Sequence, residues 1–144
     1  MDLQYKFYVQ LTEYDIKHIY HYAETRVPDF SNPVANDSMI DKELSIFVYD
    51  KKKQIMAWTI VEALRPNELS FTLSYVTPEQ RMTALGLKME YLIFKQMQEI
   101  GCKKYQFATC EVFLEDRRVA RLNERIFGNS IISKSPCYKC SFEI

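Results

Sequence analysis

Tyr75-Val76-Thr77-Pro78-Glu79-Gln80-Arg81-Met82-Thr83-Ala84-Leu85-Gly86-Leu87 is the stretch on which the fold turns. An alternating apolar run ends at Val76, a proline marks a turn, and from about Thr83 apolar residues return at helical spacing. A strand that feeds a helix in this way leaves amides unpaired. The first N–H groups of a helix lack intrahelical partners, and the aligned peptide dipoles put about half a positive charge at that end. The junction is therefore suited to an anion, phosphate above all. Ala84 is small and Gly86 has no Cβ, so a pyrophosphate can approach the main chain closely.

Downstream, Leu85, Met89, Leu92, Ile93, Met97 and Ile100 recur at spacings of three and four, which predicts a helix over 83–100 with Gly101 at its C-cap. The methionines read as core filling. Tyr105 to Val112 alternates and is rich in β-branched and aromatic residues, so a strand follows the helix and completes a βαβ unit with the strand Leu69 to Val76. Upstream, Leu44 to Tyr49 and Gln54 to Ala63 are apolar runs joined by Asp50-Lys51-Lys52-Lys53, and Arg65-Pro66-Asn67-Glu68 links the second to Leu69. Three antiparallel strands in succession are expected, and the triple lysine reads as a solvated hairpin tip. At the start, Leu3, Tyr5, Phe7 and Val9 alternate as in a half-buried strand. Thr12, with Glu13 and Asp15 behind it, then opens a helix carrying Ile16, Ile19, Tyr20 and Ala23 on one side. Pro28 to Asp41 is a polar, turn-rich loop. A second long helix is expected over 114–127, on Leu114, Val119, Leu122 and Ile126 with Gly128 as its stop, and Ser130 to Ile144 gives one or two strands broken near Ser135-Pro136.

A chain of 144 residues with 47% hydrophobic and 14% aromatic content suits a single domain over 1–144 with its own core. Nineteen basic and 19 acidic side chains cancel, so no long-range field favours nucleic acid or an anionic membrane. No apolar run approaches the roughly 20 residues of a membrane span, and the N-terminus lacks the apolar stretch of a signal peptide, so a cytoplasmic protein is expected. Cys102, Cys110, Cys137 and Cys140 are too sparse for a disulfide scaffold and read as reduced thiols. Cys137-x-x-Cys140 has the spacing of half a metal or redox site, but no second pair or histidine cluster accompanies it. Residues three apart on a strand also face opposite ways, so no metal is expected.

The run Val-x-Pro-Glu-x-Arg-x-x-Ala-x-Gly, from Val76 to Gly86, resembles the acetyl-CoA-binding motif of the GNAT superfamily of N-acetyltransferases, with Arg81, Ala84 and Gly86 at the motif positions and alanine in place of its first glycine. The element order, β-α-loop-β-β-β-α-β-α-β-(β), is similar to that fold across the chain from Leu3 onward. The resemblance implies an α+β architecture: a mixed, mostly antiparallel sheet with one βαβ crossover and flanking helices. It implies acetyl-CoA as acyl donor, with Tyr75, Val76 and Thr77 meeting the pantetheine amides and the amides of Arg81, Met82, Thr83, Ala84, Leu85, Gly86 and Leu87 cradling the pyrophosphate. The segment from Arg26 to Met39 is where acceptor contacts are expected. The family's frequent acid is a tyrosine on the helix after the second parallel strand; aligned on Ala120 and Gly128, this chain has Glu124 there. Glu111, near the end of that parallel strand, is the candidate base. His18 and His21 read as surface positions and Trp58 as core. The implied activity is acetylation of a primary amine on a small molecule, peptide or protein. The alternative is a GNAT-fold module that binds or inhibits and still holds CoA, favoured by Ala84 and by the missing tyrosine. The terminal segment with Tyr138, Phe142 and Ile144 either pairs across a homodimer or finishes the domain's own sheet.

Overall fold

The computed structural model describes residues 2–27, 31–65, 67–81, 83–100, 105–111, 131–134 and 139–143. Its elements are β1 Leu3–Phe7, α1 Glu13–Arg26, β2 Ile46–Asp50, β3 Ile55–Arg65, β4 Asn67–Val76, α2 Leu85–Glu99, β5 Tyr105–Glu111, β6 Ile131–Lys134 and β7 Lys139–Glu143. The seven strands make one sheet in the order β1-β2-β3-β4-β5-β7-β6. Only β4 and β5 run parallel, as the βαβ reading requires with α2 as the crossover; every other pair is antiparallel. The architecture is α+β.

Both faces of the sheet are covered, and the alternation of the strands explains how. Ile46, Val48, Ala57 and Val61 point to one side, where Leu85, Met89, Ile93 and Met97 of α2 close over them. Phe47, Tyr49, Trp58 and Ile60 point to the other, against Ile19 and Ala23 of α1 and against Val34 and Ile40. Strands buried on both faces need continuous apolar runs, which is why β2 reads Ile-Phe-Val-Tyr without a polar break. Helix α1 starts on a reciprocal cap: the Asp15 amide donates to Thr12 Oγ1 (3.1 Å) and the Thr12 amide to Asp15 Oδ2 (2.9 Å). Burial pushes the Asp15 carboxyl up, but the Thr12 contacts and the Lys6 ammonium at 3.2 Å more than offset it and hold it below its ordinary range.

The segment between α1 and β2 is pinned at several points. The buried Tyr8 hydroxyl donates to Val34 O (2.9 Å). Asp41 N donates to Val61 O and Ala63 N to Met39 O, so residues 39–41 continue the line of β2 along β3. Ser45, fully buried, donates through Oγ to Asp41 O (2.8 Å) and accepts from Val61 N (3.0 Å).

Several expected boundaries shift. Val9 leaves the first strand for a 3-10 turn over Tyr8–Gln10 and is 57% exposed: Tyr8 N still bonds to Ser45 O in register, but Val9 N bonds to Lys42 O, off the ladder. Leu44 lies before β2, in a turn closed on Asp41. The link from Arg65 to Glu68 is absorbed into the strands, with Arg65 opposite Glu68. Tyr20 is exposed, and Tyr22 takes its place against the second core. Helix α2 begins at Leu85. The C-terminal segment forms two strands, with the later one, β7, beside β5. The expected helix over 114–127, Gly101 and Cys137 lie outside the described residues; Cys140 is in β7, opposite Cys110 in register. Among the described residues no helix is long and apolar enough to cross a membrane.

Glu90, partly buried on α2, has its carboxyl pushed up to about 7 by lost hydration. The folded chain therefore binds this proton more tightly than the unfolded chain, whose carboxyl keeps its ordinary 4.5. Stability should fall as pH rises from about 4.5 to about 7, by about 1.4 kcal/mol for each pH unit crossed, and level off above. Denaturant unfolding of Glu90→Gln across that range should lack this decline.

Candidate active site

The site is made where β4 parts from β5. Their parallel pairing runs from Asn67 opposite Tyr105 to Phe71 opposite Cys110. Just there the β3–β4 register slips: Val61 faces Phe71 but Ile60 faces Leu73, so Thr72 is an extra residue in β4. A bulge bends its strand and sharpens the twist. Beyond it β4 stays on β3, with Thr59, Trp58 and Ala57 opposite Ser74, Tyr75 and Val76, and among the described residues has no further pairing with β5. Among the described residues, then, the two parallel strands part over the last residues of β4.

The backbone period decides which groups line this opened edge. Thr77 N donates to Met56 O (3.0 Å), so Thr77 and Tyr75 turn their amides and carbonyls toward β3, and Ser74 and Val76 turn theirs toward the gap. Arg81 agrees with this, because its Nε donates across the turn to Val76 O (3.2 Å). Of the three residues expected to present backbone groups, only Val76 does so; its companion on the open edge is Ser74, which residue type alone does not single out. The signal for it is the two-residue period counted back from Thr77.

After β4 the chain makes a 3-10 turn over Pro78–Gln80 and then enters α2. Arg81 N and Thr83 N close turns onto Pro78 O and Gln80 O. Thr83 Oγ1 donates to Gln80 O (2.7 Å) and accepts from Leu85 N (3.3 Å). Of the amides expected to form a cradle from Arg81 to Leu87, those of Arg81, Thr83 and Leu85 are thus taken by the turn and the cap. Gly86 N and Leu87 N keep no hydrogen-bond partner among the described residues. The side chains of Leu85 and Leu87 are buried, so those residues offer main chain only. A Cβ built on Gly86 meets nothing within 4 Å, so the space beside its Cα is open. Ala84 precedes the helix and Met82 lies outside the described residues.

On the α1 face, beside the same end of β4, opens a cleft of about 930 Å³. One wall is a stripe of α1 at helical spacing, His18, His21, Tyr22, Thr25 and Arg26; the other is Thr77, Pro78 and Glu79, with the β2–β3 hairpin at Asp50 and Gln54. Asp50 Oδ1 accepts from Lys52 N and Gln54 N and shapes that hairpin. Tyr75 stands between the walls. Its ring lies 4.6 Å from the buried Trp58 ring, and its hydroxyl is 3.2 Å from that of Tyr22. Burial, then that hydrogen bond, pushes the Tyr22 phenol well up, so it stays protonated in any ordinary buffer. Thr77 is 5% exposed, and its Oγ1 has no partner among the described residues, an unpaired buried group that an occupant of the cleft would satisfy.

Other expected site residues fall as follows. Glu111 ends β5, one position beyond the last β4–β5 pair, and so stands at the mouth of the splay. Glu124 lies outside the described residues. Within 26–39 only Arg26 lines the cleft among the described residues; Val34 is held to Tyr8 and Met39 to β3. His18 and His21, expected as plain surface, are on its wall.

No protein-family model and no curated protein matches the sequence. Solved structures do match. The Ard1 protein of Thermoplasma volcanium superposes with a TM-score of 0.65 at 10% identity, covering 99% of this chain and 97% of its own. A ribosomal-protein-alanine N-acetyltransferase from Escherichia coli gives 0.63 at 12%, over 98% and 90%. An acetyltransferase of GNAT family from Staphylococcus aureus gives 0.63 at 7%, over 99% of each. The chain has the GNAT fold.

Because nothing crowds Gly86, Gly86→Ala should fold normally and gain roughly 0.4–1 kcal/mol by restricting the unfolded chain. A chemical-denaturation curve measures this directly.

Proposed function

We propose that the chain, acting as one domain of residues 1–144, is an acetyl-CoA-dependent N-acetyltransferase acting on a primary amine. One observation carries the reading: among the described residues β4 leaves β5 at its bulge, and the edge so opened runs on to a helix start where Gly86 N and Leu87 N find no partner. The groups exposed there match a donor that is amide along its arm and anionic at its far end. Ser74 offers an N–H and a C=O to the pantetheine amides, and Val76 an N–H and a carbonyl whose other lone pair already accepts from Arg81 Nε. Gly86 and Leu87 offer the helix start to the pyrophosphate. The open space beside Gly86 and the Thr77 hydroxyl, without a partner among the described residues, fit a group that is not part of the chain.

In this reading the acceptor enters from the α1 face through the cleft beside Tyr75. Its nitrogen attacks the thioester carbonyl carbon, the C–S bond breaks, the amine proton goes to a base, and the departing thiolate takes a proton. Glu111, at the end of β5, is the base we assign, directly or through a water. Glu124 is the acid by its place in the chain, provided its surroundings keep it protonated.

Acetyl-CoA titrated calorimetrically into the chain tests the donor site. Gly86→Val should weaken binding at least tenfold, about 1.4 kcal/mol, while the protein stays folded; unchanged affinity would rule out this cradle. Glu111→Gln should lower turnover by about 10² to 10⁴ while acetyl-CoA affinity holds, and an unchanged rate removes it as the base.

A further inference from the structure

The cleft beside Tyr75 has walls of opposite character. The α1 wall carries His18, His21 and Arg26, and the facing wall carries Glu79 and Asp50. A site for a simple cation or polyamine would not set an arginine across from its carboxylates, because like charges in one cleft reject each other. A site for an anion alone would not carry Glu79.

The two most telling charges are not spent on each other. Among the described residues neither Arg26 nor Glu79 is in an ion pair, while Lys6 and Asp15 do form one. The Arg26 guanidinium lies 5.4 Å from the centre of the Tyr22 ring. Among the described residues no acceptor claims its N–H groups, and a guanidinium fork fits a carboxylate through two parallel hydrogen bonds. Thr77, 5% exposed and with Oγ1 unpaired among the described residues, stands two residues from Glu79 and adds a polar contact on the acidic wall. A volume of about 930 Å³ suits a small molecule.

We infer that the acceptor is an amino-carboxylic acid, a single small molecule whose carboxylate is held by Arg26 and whose ammonium group turns to Glu79. Arg26 and Glu79 are then the specificity-determining pair. What happens to the amine rests on the acetyl-transfer reading above; what binds rests on the cleft alone.

The test is calorimetric titration of the full chain, without acetyl-CoA, using glycine, β-alanine, γ-aminobutyrate and lysine, each beside its carboxamide. At least one acid should bind, about tenfold or more tighter than its amide. Arg26→Gln should bring that ratio close to one and Arg26→Lys should keep part of it, while Glu79→Gln should weaken acid and amide together. Arg26 is exposed at the end of α1, so these variants should fold. Absence of binding across the set, amides binding as well as acids, or a ratio that survives Arg26→Gln overturns the inference. A parallel thioester-consumption assay separates the two readings. An acid that binds with the predicted preference but is never acetylated refutes acetyl transfer and leaves this inference standing. Amides acetylated as fast as the acids refute the inference and leave acetyl transfer standing.

Discussion

The extra residue at Thr72 is the constraint on which the site depends. A strand laid regularly between β3 and β5 would satisfy both of its edges along its whole length and leave nothing to bind with. By slipping one position against β3 just where Phe71 makes the last pairing with β5, β4 keeps one edge bonded and frees the other. The free edge is short and borders a turn, not open water on a flat sheet, so it is protected from pairing with another chain. The same strand then leads into a helix in whose first turn Gly86 N and Leu87 N have no partner among the described residues. One irregularity therefore aligns two kinds of unsatisfied backbone, an extended edge and a helix start, along a single path.

Burial of the sheet on both faces holds that geometry in place. On one side Met89 and Ile93 of α2 pack over Ala57 and Val61, which fixes the helix start relative to the end of β4. On the other, Trp58 is buried under Tyr75, and Tyr22 meets both rings. That aromatic cluster makes the floor of the cleft from residues of three elements, α1, β3 and β4. Rings held on several sides keep their orientation, so the Tyr75 hydroxyl and the α1 stripe stand at fixed positions beside the splayed strand. The site is rigid because it is the end of the core.

Much of this is legible in the sequence, and the parts that are not share a cause. The Arg81, Ala84, Gly86 spacing and the periodicity of α2 are local signals, set within one turn of chain, and the sheet order follows from how few ways a meander and one crossover combine. The bulge is not legible, because an extra residue in β4 shows only against its partner in β3. For the same reason Tyr75 and Thr77 stand out in the sequence where Ser74 does not: which amides face the gap depends on pairing, not on residue type. His18 and His21 look like ordinary surface because exposure on an isolated helix says nothing of the hairpin that comes to face it. The segment after Arg26 looks like a substrate-covering loop by composition, yet Val34, Ile40 and Ser45 tie it down through contacts distant in sequence.

The departures of this chain from the motif it resembles fall on different physical grounds. A donor site built from amides tolerates a change of side chain wherever the backbone path survives. Ala84 sits before the first turn of α2 with an ordinary negative φ, so the missing glycine removes no conformation that this path requires. Proton transfer has no such latitude, because it needs a titratable atom at a defined place. Binding of the donor and turnover of the acceptor are thus separable properties of this fold. In the proposed reading the first rests on the bulge and the helix start, which depend on backbone path. The second would rest on a few side chains near the end of β4, where Tyr22 and Tyr75 form a hydroxyl pair at 3.2 Å.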